Sequence, residues 1–165
     1  MKSTAQFKVG DKLVEPGSIY MIFKIKKVRN DAGVLERTIF FKPFFEENNQ
    51  TQLVCSFPEK NITETDLRKV KSKKVLHECL LDLKKLAKFI IPTNVDDLKI
   101  GLNLNSLEET FKVLKLLIQE KKFSETFPKI KRDLMATAIE SIAQEFAIIN
   151  NVSLNSARVK VAKIT

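Results

Sequence analysis

Tryptophan is absent from this chain, and tyrosine and histidine occur once each, as Tyr20 and His77. A lone histidine rules out multi-histidine metal sites and the acyl-transfer arrangements that need an imidazole beside a nucleophile. It reads as a surface helix residue. Cys55 and Cys79 stand apart with no C-x-x-C spacing, so free, mostly buried thiols in a reducing cytoplasm are expected. The four glycines are too dispersed to form a phosphate-cradling loop, and no H-E-x-x-H is present. Uninterrupted apolar runs stop at lengths like Ile19 to Phe23, far short of the roughly 20 residues of a membrane-crossing helix. The opening Met1 to Gln6 lacks the apolar stretch of a secretion signal. The carboxylate pairs Glu46-Glu47 and Asp96-Asp97 fall in a turn and a helix start, where capping accounts for them. The expectation is a protein that is not an enzyme, with no cofactor, no metal and no membrane partner.

What the chain does have is positive charge. Its net charge is +9 over 165 residues. Residues 1–70 carry 12 basic and 9 acidic side chains, and residues 71–165 carry 17 and 11, so the excess is +3 and then +6. Such an excess suits a polyanionic partner, DNA or RNA first. A lysine-rich solvated surface is the competing explanation.

Period-two patterning dominates the first third. Gly10-Asp11 and Pro16-Gly17 are turn signals around a short strand holding Leu13 and Val14. From Ser18 to Val28, Ile19, Met21, Phe23 and Ile25 fall on one face, and Tyr20, Ile22, Lys24 and Lys26 on the other. A turn at Asp31-Ala32-Gly33 leads into an aromatic, β-branched strand ended or bulged at Pro43. After a polar loop at 46–49, Thr51 to Phe57 places Leu53, Cys55 and Phe57 on one face, and Pro58 ends it. Four or five short strands in under 60 residues predict a small barrel, too narrow for a ligand cavity. Its function therefore belongs on an edge or outer face.

Residues 61–70 are a transition, after which the period becomes helical. Val75, Leu76, Cys79, Leu80, Leu83, Leu86, Ala87 and Ile90 predict an amphipathic helix capped by Ser72 and stopped by Pro92. A short helix is expected over 94–102. Ser106-Leu107-Glu108-Glu109 is a capping box for a third, running to about Glu120 with Leu107, Phe111, Leu114 and Leu117 or Ile118 inward. Pro128 opens a long fourth with Ile130, Leu134, Ala138, Ile142, Phe146 and Ile149 inward. Asn150-Asn151 ends it, and Ser153 caps a last helix carrying Arg158, Lys160 and Lys163. The fold class is α+β: residues 1–68 a small β-barrel of the Tudor or SH3 kind, residues 69–165 an all-α bundle of about five helices.

Charge marks the candidate surfaces. Lys24, Lys26, Lys27 and Arg29 form a basic strand end, which suits docking but also suits an edge strand guarded by charge. Lys69, Lys71, Lys73 and Lys74 precede and enter the first helix, and Lys84, Lys85 and Lys88 follow along it. Such a cluster neutralises phosphates well, although lysines on an exposed helix face are also the default. Lys129, Lys131 and Arg132 sit at a helix start, where the dipole mildly disfavours cations, which favours a phosphate partner slightly without displacing a solvated surface as the leading explanation. Phe23, Phe40, Phe41, Phe44 and Phe57 read as barrel filling ahead of a base-stacking platform.

Phe7-Lys-Val-Gly-Asp-Lys12, its short strand and the Pro16-Gly17 turn resemble the opening of the CarD family, bacterial transcription regulators. That family shares its RNA-polymerase-binding β-domain with transcription-repair coupling factors. Phe57-Pro58 is similar to the close of the family's last β-segment, and Leu67-Arg68 to its step into the helices. Ser106 onward resembles its third bundle helix; Leu134 to Ala147, with Val152 to Ala157, resembles its ending. The resemblance spans nearly the whole chain. It implies a monomer that docks its β-domain by the sheet edge on the RNA polymerase β subunit and lays its helices on double-stranded promoter DNA, holding the opened complex. Arg29 falls where the family has a polymerase-contacting arginine, and Ser56 near a second such arginine, absent here. The family turn Tyr-Pro-Gly-His-Gly is Glu15-Pro16-Gly17-Ser18-Ile19 in this chain. The family's tryptophan wedge and following arginines are replaced by Phe89-Ile90-Ile91-Pro92-Thr93, so Phe89 and Ile90 stand where an apolar wedge would act. Two other functions fit the residues: a free-standing basic DNA-binding regulator that acts without polymerase, and a protein adaptor whose charge is incidental.

Overall fold

The computed structural model describes residues 7–45, 53–85 and 93–164. The chain is α+β, and it divides into two units, Met1–Lys69 and Val70–Thr165.

The first unit is a five-stranded antiparallel sheet of β1 (Lys12–Glu15), β2 (Ser18–Arg29), β3 (Leu35–Pro43), β4 (Cys55–Pro58) and β5 (Arg68–Lys69), in the order β4-β3-β2-β1-β5. Gly17, at φ +82°, makes the tight β1–β2 turn that a residue with a Cβ would strain. A 3-10 turn, Glu59–Glu64, leads to the two-residue β5, which pairs back onto β1 through Leu13–Lys69 and Val14–Arg68. Neither was evident in the transition segment, because six and two residues are too few to carry a period.

The parity along β2 differs from the expected one. The register slips between Ile22 and Lys24, leaving Phe23 unpaired in a β-bulge. Ile22 is fully buried, and both Tyr20 and Ile25 pack on the same core with Leu13, Ile39, Phe41, Phe57 and Phe7. Without the bulge, strict alternation from Ile22 would turn Lys24 inward and Ile25 out. Burying a leucine-sized side chain contributes about 2 kcal/mol and a buried lone charge costs more than that, whereas a lost ladder bond is worth about 1 kcal/mol. The bulge is therefore the favoured solution. Edge-to-face contacts tie the aromatic part of this core together, Tyr20–Phe41 at 5.4 Å and Phe41–Phe57 at 5.2 Å. The expected polar loop at 46–49 lies outside the described residues. Leu53, expected inward, precedes β4 and is exposed.

The second unit is helical: α1 (Lys73–Leu83), α2 (Val95–Asn103), α3 (Leu107–Phe123), α4 (Lys129–Asn150) and α5 (Leu154–Ala162). Four of the five starts carry a side-chain cap. Ser72 accepts from the Val75 amide at 3.4 Å, Asn94 from Asp96 at 2.9 Å, Ser106 from Glu109 at 3.4 Å and Ser153 from Ser156 at 3.2 Å. The capping box is half formed, since Glu109 turns to Lys112 at 3.4 Å instead of reaching back. α4 has no side-chain cap, and Pro128 is its N-cap residue. Asn151, at φ +51°, ends α4 in the left-handed conformation asparagine tolerates.

Two helical expectations are corrected. α1 stops at Leu83, with Lys84 as its C-cap; of the continuation expected to Ile90, residues 86–92 lie outside the described residues. The inward stripe of α4 is Lys131, Met135, Ala138, Ile142, Glu145 and neighbours, and Ile130 is 44% exposed. The rotation follows from Lys131, whose charge is met inside the unit.

Ion pairs fix the helix directions. The Lys71 ammonium meets Glu108 at 2.8 Å and Lys115 meets Asp82 at 2.8 Å, so α1 and α3 run side by side in the same direction. Glu120 near the end of α3 meets Lys131 at the start of α4, which makes those two antiparallel. Arg158 grips Glu140 with two bonds of 2.8 and 2.7 Å and lays α5 back along α4.

Candidate interfaces for a protein partner and nucleic acid

The bulge at Phe23 decides what the sheet presents. Past it, Lys24 lies beside Phe40 on β3, and Phe40 beside Ser56 on β4. Lys24, Phe40 and Ser56 therefore form one row across three strands, with Lys26 and Thr38 next along the same face. Lys27 and Arg29 fall on the opposite face of β2, paired with Arg37 and Leu35. The four cations of this strand end, one surface in the sequence, are divided two and two. All four are exposed, as is Ser56.

The electrostatics differ between the halves. The Lys24 ammonium lies 5.6 Å from the Phe40 ring centroid, and Lys26 beside it lowers the Lys24 pKa below its ordinary value. Two like charges held on one face in this way favour an anionic neighbour. Arg29 instead donates to the Gly33 carbonyl at 3.3 Å and helps close the β2–β3 turn. Arg37 is engaged by Glu59 at 3.2 Å and donates to the Phe7 carbonyl at 2.6 Å, and Lys27 beside it is exposed. The Phe stripe is split as well. Phe41 and Phe57 fill the core, and Phe23 and Phe40 reach the surface.

Of the residues expected on DNA, Lys69 belongs to β5. Its ammonium pairs with Asp11 at 2.9 Å and lies 4.7 Å from the Phe7 ring centroid. Burial raises the Asp11 pKa, but the Lys69 bond and the Lys8 amide outweigh that and hold it below the ordinary range. Lys69 is thereby a structural residue of the sheet. Lys71 is tied to Glu108, whereas Lys73 and Lys74 are exposed at the start of α1, with Glu78 only 4.0 Å from Lys74 in open solvent. Lys84 and Lys85 are exposed just past the other end of α1. Lys88, Phe89 and Ile90 lie outside the described residues.

Lys131 corrects the expectation most clearly. It is 8% exposed, and its ammonium donates to Glu120 at 2.5 Å and to the Thr93 carbonyl and hydroxyl, each at 3.0 Å. Thr93 also donates to Glu120. A lysine so enclosed does not reach a phosphate; it fastens the end of α3, the start of α4 and the approach to α2. The neighbours it positions are exposed: Lys129 and Arg132 on α4, and Lys121 and Lys122 in the last turn of α3. The sequence reading missed Lys121 and Lys122 because cations at a helix C-terminus need no further explanation.

A groove of about 220 Å³ between α2 and α3 is floored by Leu98, Gly101 and Val113 and rimmed by Asp97, Glu109 and Lys112. Its Lys112 and Glu109 already pair. Cys79 is half-buried, and burial raises its thiol pKa, with Glu108 and Asp82 adding to the effect, so the thiolate is disfavoured. His77 is exposed on α1, as expected. Among the described residues no three His, Cys, Asp or Glu side chains are placed to hold a metal ion, and no helix is long and apolar enough to cross a membrane.

A scan of protein-family models and a search of curated proteins find no match to this chain.

Proposed function

We propose that this chain is a CarD-like transcription regulator. Its sheet unit docks on the RNA polymerase β subunit, and its helical unit contacts promoter DNA and stabilises the opened complex. The observation that carries the reading is the row Lys24, Phe40 and Ser56, with Lys26 alongside, on three adjacent strands of a unit distinct from the helical one. A cationic, partly aromatic face suits an acidic protein surface better than it suits a small ligand. The strand order, with a short β5 returning to β1 after a 3-10 turn, supports a barrel of the Tudor type. Arg29 and Lys27 extend the docking surface on the other side of β2. The protein works in the cytoplasm as a monomer without enzymatic activity.

The mechanism is tethering. Docking converts DNA contact into an intramolecular event, so a weak binder suffices at the promoter. Exposed lysines and arginine supply phosphate contacts without base reading. The test is retention of the whole chain on an isolated polymerase β lobe. Wild type is retained, and Arg29→Glu or the pair Lys24→Glu and Lys26→Glu weakens retention. Failure of the wild type to bind would overturn docking and leave the free-standing DNA-binding reading, which a salt titration of duplex affinity then decides.

A further inference from the structure

We infer that the corner where α3 ends and α4 begins is a duplex-DNA contact surface. Lys121, Lys122, Lys129 and Arg132 take phosphates there, and Phe123 with Ile130 forms an apolar contact between them. The inference rests on the DNA-contacting half of the proposed function and is independent of polymerase docking.

Three observations converge on this corner. First, its position is fixed: Glu120 and Lys131 meet at 2.5 Å, and all six residues lie within about one helical turn of that pair. Second, the charge runs against local preference. The first turn of α4 has no acidic residue and no side-chain cap, yet it carries Lys129, Lys131 and Arg132 at the positive end of the helix dipole. Lys131 is neutralised by Glu120, whereas Lys129 and Arg132 on the same turn are exposed. Along residues 121–133 the exposed carboxylates are Glu125 and Asp133, against the exposed cations Lys121, Lys122, Lys129 and Arg132. Third, two large apolar side chains are left in solvent among these charges, Phe123 40% and Ile130 44% exposed, with the Lys122 ammonium 5.7 Å from the Phe123 ring centroid.

Each feature alone is ordinary, since single exposed apolar residues need no explanation. Together they are the composition of a backbone-and-wedge contact: point charges for phosphates, apolar groups for sugar edges or an unstacked step. At the start of α1, Lys71 is engaged by Glu108, and Lys74 has Glu78 at 4.0 Å.

The experiment is a salt titration of the whole chain on a short mixed-sequence DNA duplex, read by fluorescence anisotropy. The pair Lys121→Glu and Lys122→Glu is expected to lower the slope of log affinity against log salt by about 2, close to one unit per lost phosphate contact. Lys160→Glu with Lys163→Glu, exposed at the end of α5, is expected to leave the slope unchanged. Phe123→Ala with Ile130→Ala is expected to weaken affinity several-fold at an unchanged slope. All the substituted side chains are exposed, and a circular-dichroism melt checks that each variant is folded. A wild-type slope in the Lys121/Lys122 variant, or an equal fall in the Lys160/Lys163 variant, overturns the assignment while leaving DNA contact intact. Wild type that does not bind duplex overturns both. Loss of β-lobe retention in place of duplex affinity would make the corner a protein-docking surface and overturn it too.

Discussion

Lys131 and Glu120 place a full ion pair where their side chains are only 10% and 12% exposed. Burial raises the Glu120 carboxyl, but the hydrogen bonds from Lys131 and Thr93 outweigh that, and its pKa lies below the ordinary 4.5. A carboxyl depressed on folding contributes stability in full above its unfolded pKa and loses it as pH falls through the folded value. The melting-temperature gap between wild type and Glu120→Gln is therefore expected to be widest above about pH 4.5 and to shrink in more acidic buffer. A gap independent of pH would refute the pair. Removing one partner strands the other, so Glu120→Ala is expected to destabilise by about 3 kcal/mol, while Glu120→Leu combined with Lys131→Met recovers most of that in urea unfolding. Gly101 makes a second residue-scale case. A Cβ there would meet Val113 Cγ2 at 2.7 Å, and Val113 is buried and stiff at χ1. Gly101→Ala adds helix propensity worth about 1 kcal/mol, but the overlap is expected to leave a net loss of about 1 kcal/mol. A rise in melting temperature would show that α2 can move away.

At the scale of elements, what the sequence revealed depended on how local the cause was. The caps at Ser72, Asn94, Ser106 and Ser153 act within three residues, and the structure forms all four. Of these, Ser72, Ser106 and Ser153 were read as caps from the sequence alone. The helices that follow Asn94, Ser106 and Pro128 were legible for the same reason, and their ends are within a few residues of expectation. The β2 bulge was not, because nothing in Ile22-Phe23-Lys24 marks it. It arises from the demand that both Ile22 and Ile25 reach one core opposite Phe41 and Ile39. That one slip splits Lys24 and Lys26 from Lys27 and Arg29, so a stretch that reads as one basic patch becomes two. Lys131 was misplaced for a similar reason: its burial depends on Glu120, in another helix, and on Thr93, 38 residues away. The bulge gives a direct prediction. Deleting Phe23 removes the extra residue, so plain alternation then keeps Ile22 inward, Lys24 outward and Ile25 inward in the present register with Phe41, Phe40 and Ile39, and the sheet unit is expected to stay folded. Replacing Phe23 with threonine keeps the bulge and is expected to cost under about 1 kcal/mol, since the ring is 37% exposed. Fluorescence of Tyr20, the chain's one tyrosine, reports that unit in a denaturant titration.

For the whole molecule, the proposed function makes a quantitative demand on two units held in one chain. Phosphate contacts alone give weak, salt-sensitive affinity, and a net charge of +9 brings nucleic acid close without choosing a site. Selection must then come from docking. If tethering operates, occupancy of promoter DNA in the presence of polymerase exceeds that on duplex alone by about 10² to 10⁴, the gain an intramolecular second contact supplies. On the proposed function, Lys24→Glu with Lys26→Glu removes the anchor and not the DNA surface. This variant is expected to lose the polymerase-dependent gain while its affinity for duplex alone changes by about twofold or less, as befits charges that do not meet phosphates. Footprinting with and without polymerase measures the first quantity, and anisotropy on the duplex measures the second. If both fall together, the sheet unit is itself a DNA-binding surface; a gain that survives the substitution means the anchor lies elsewhere on the chain.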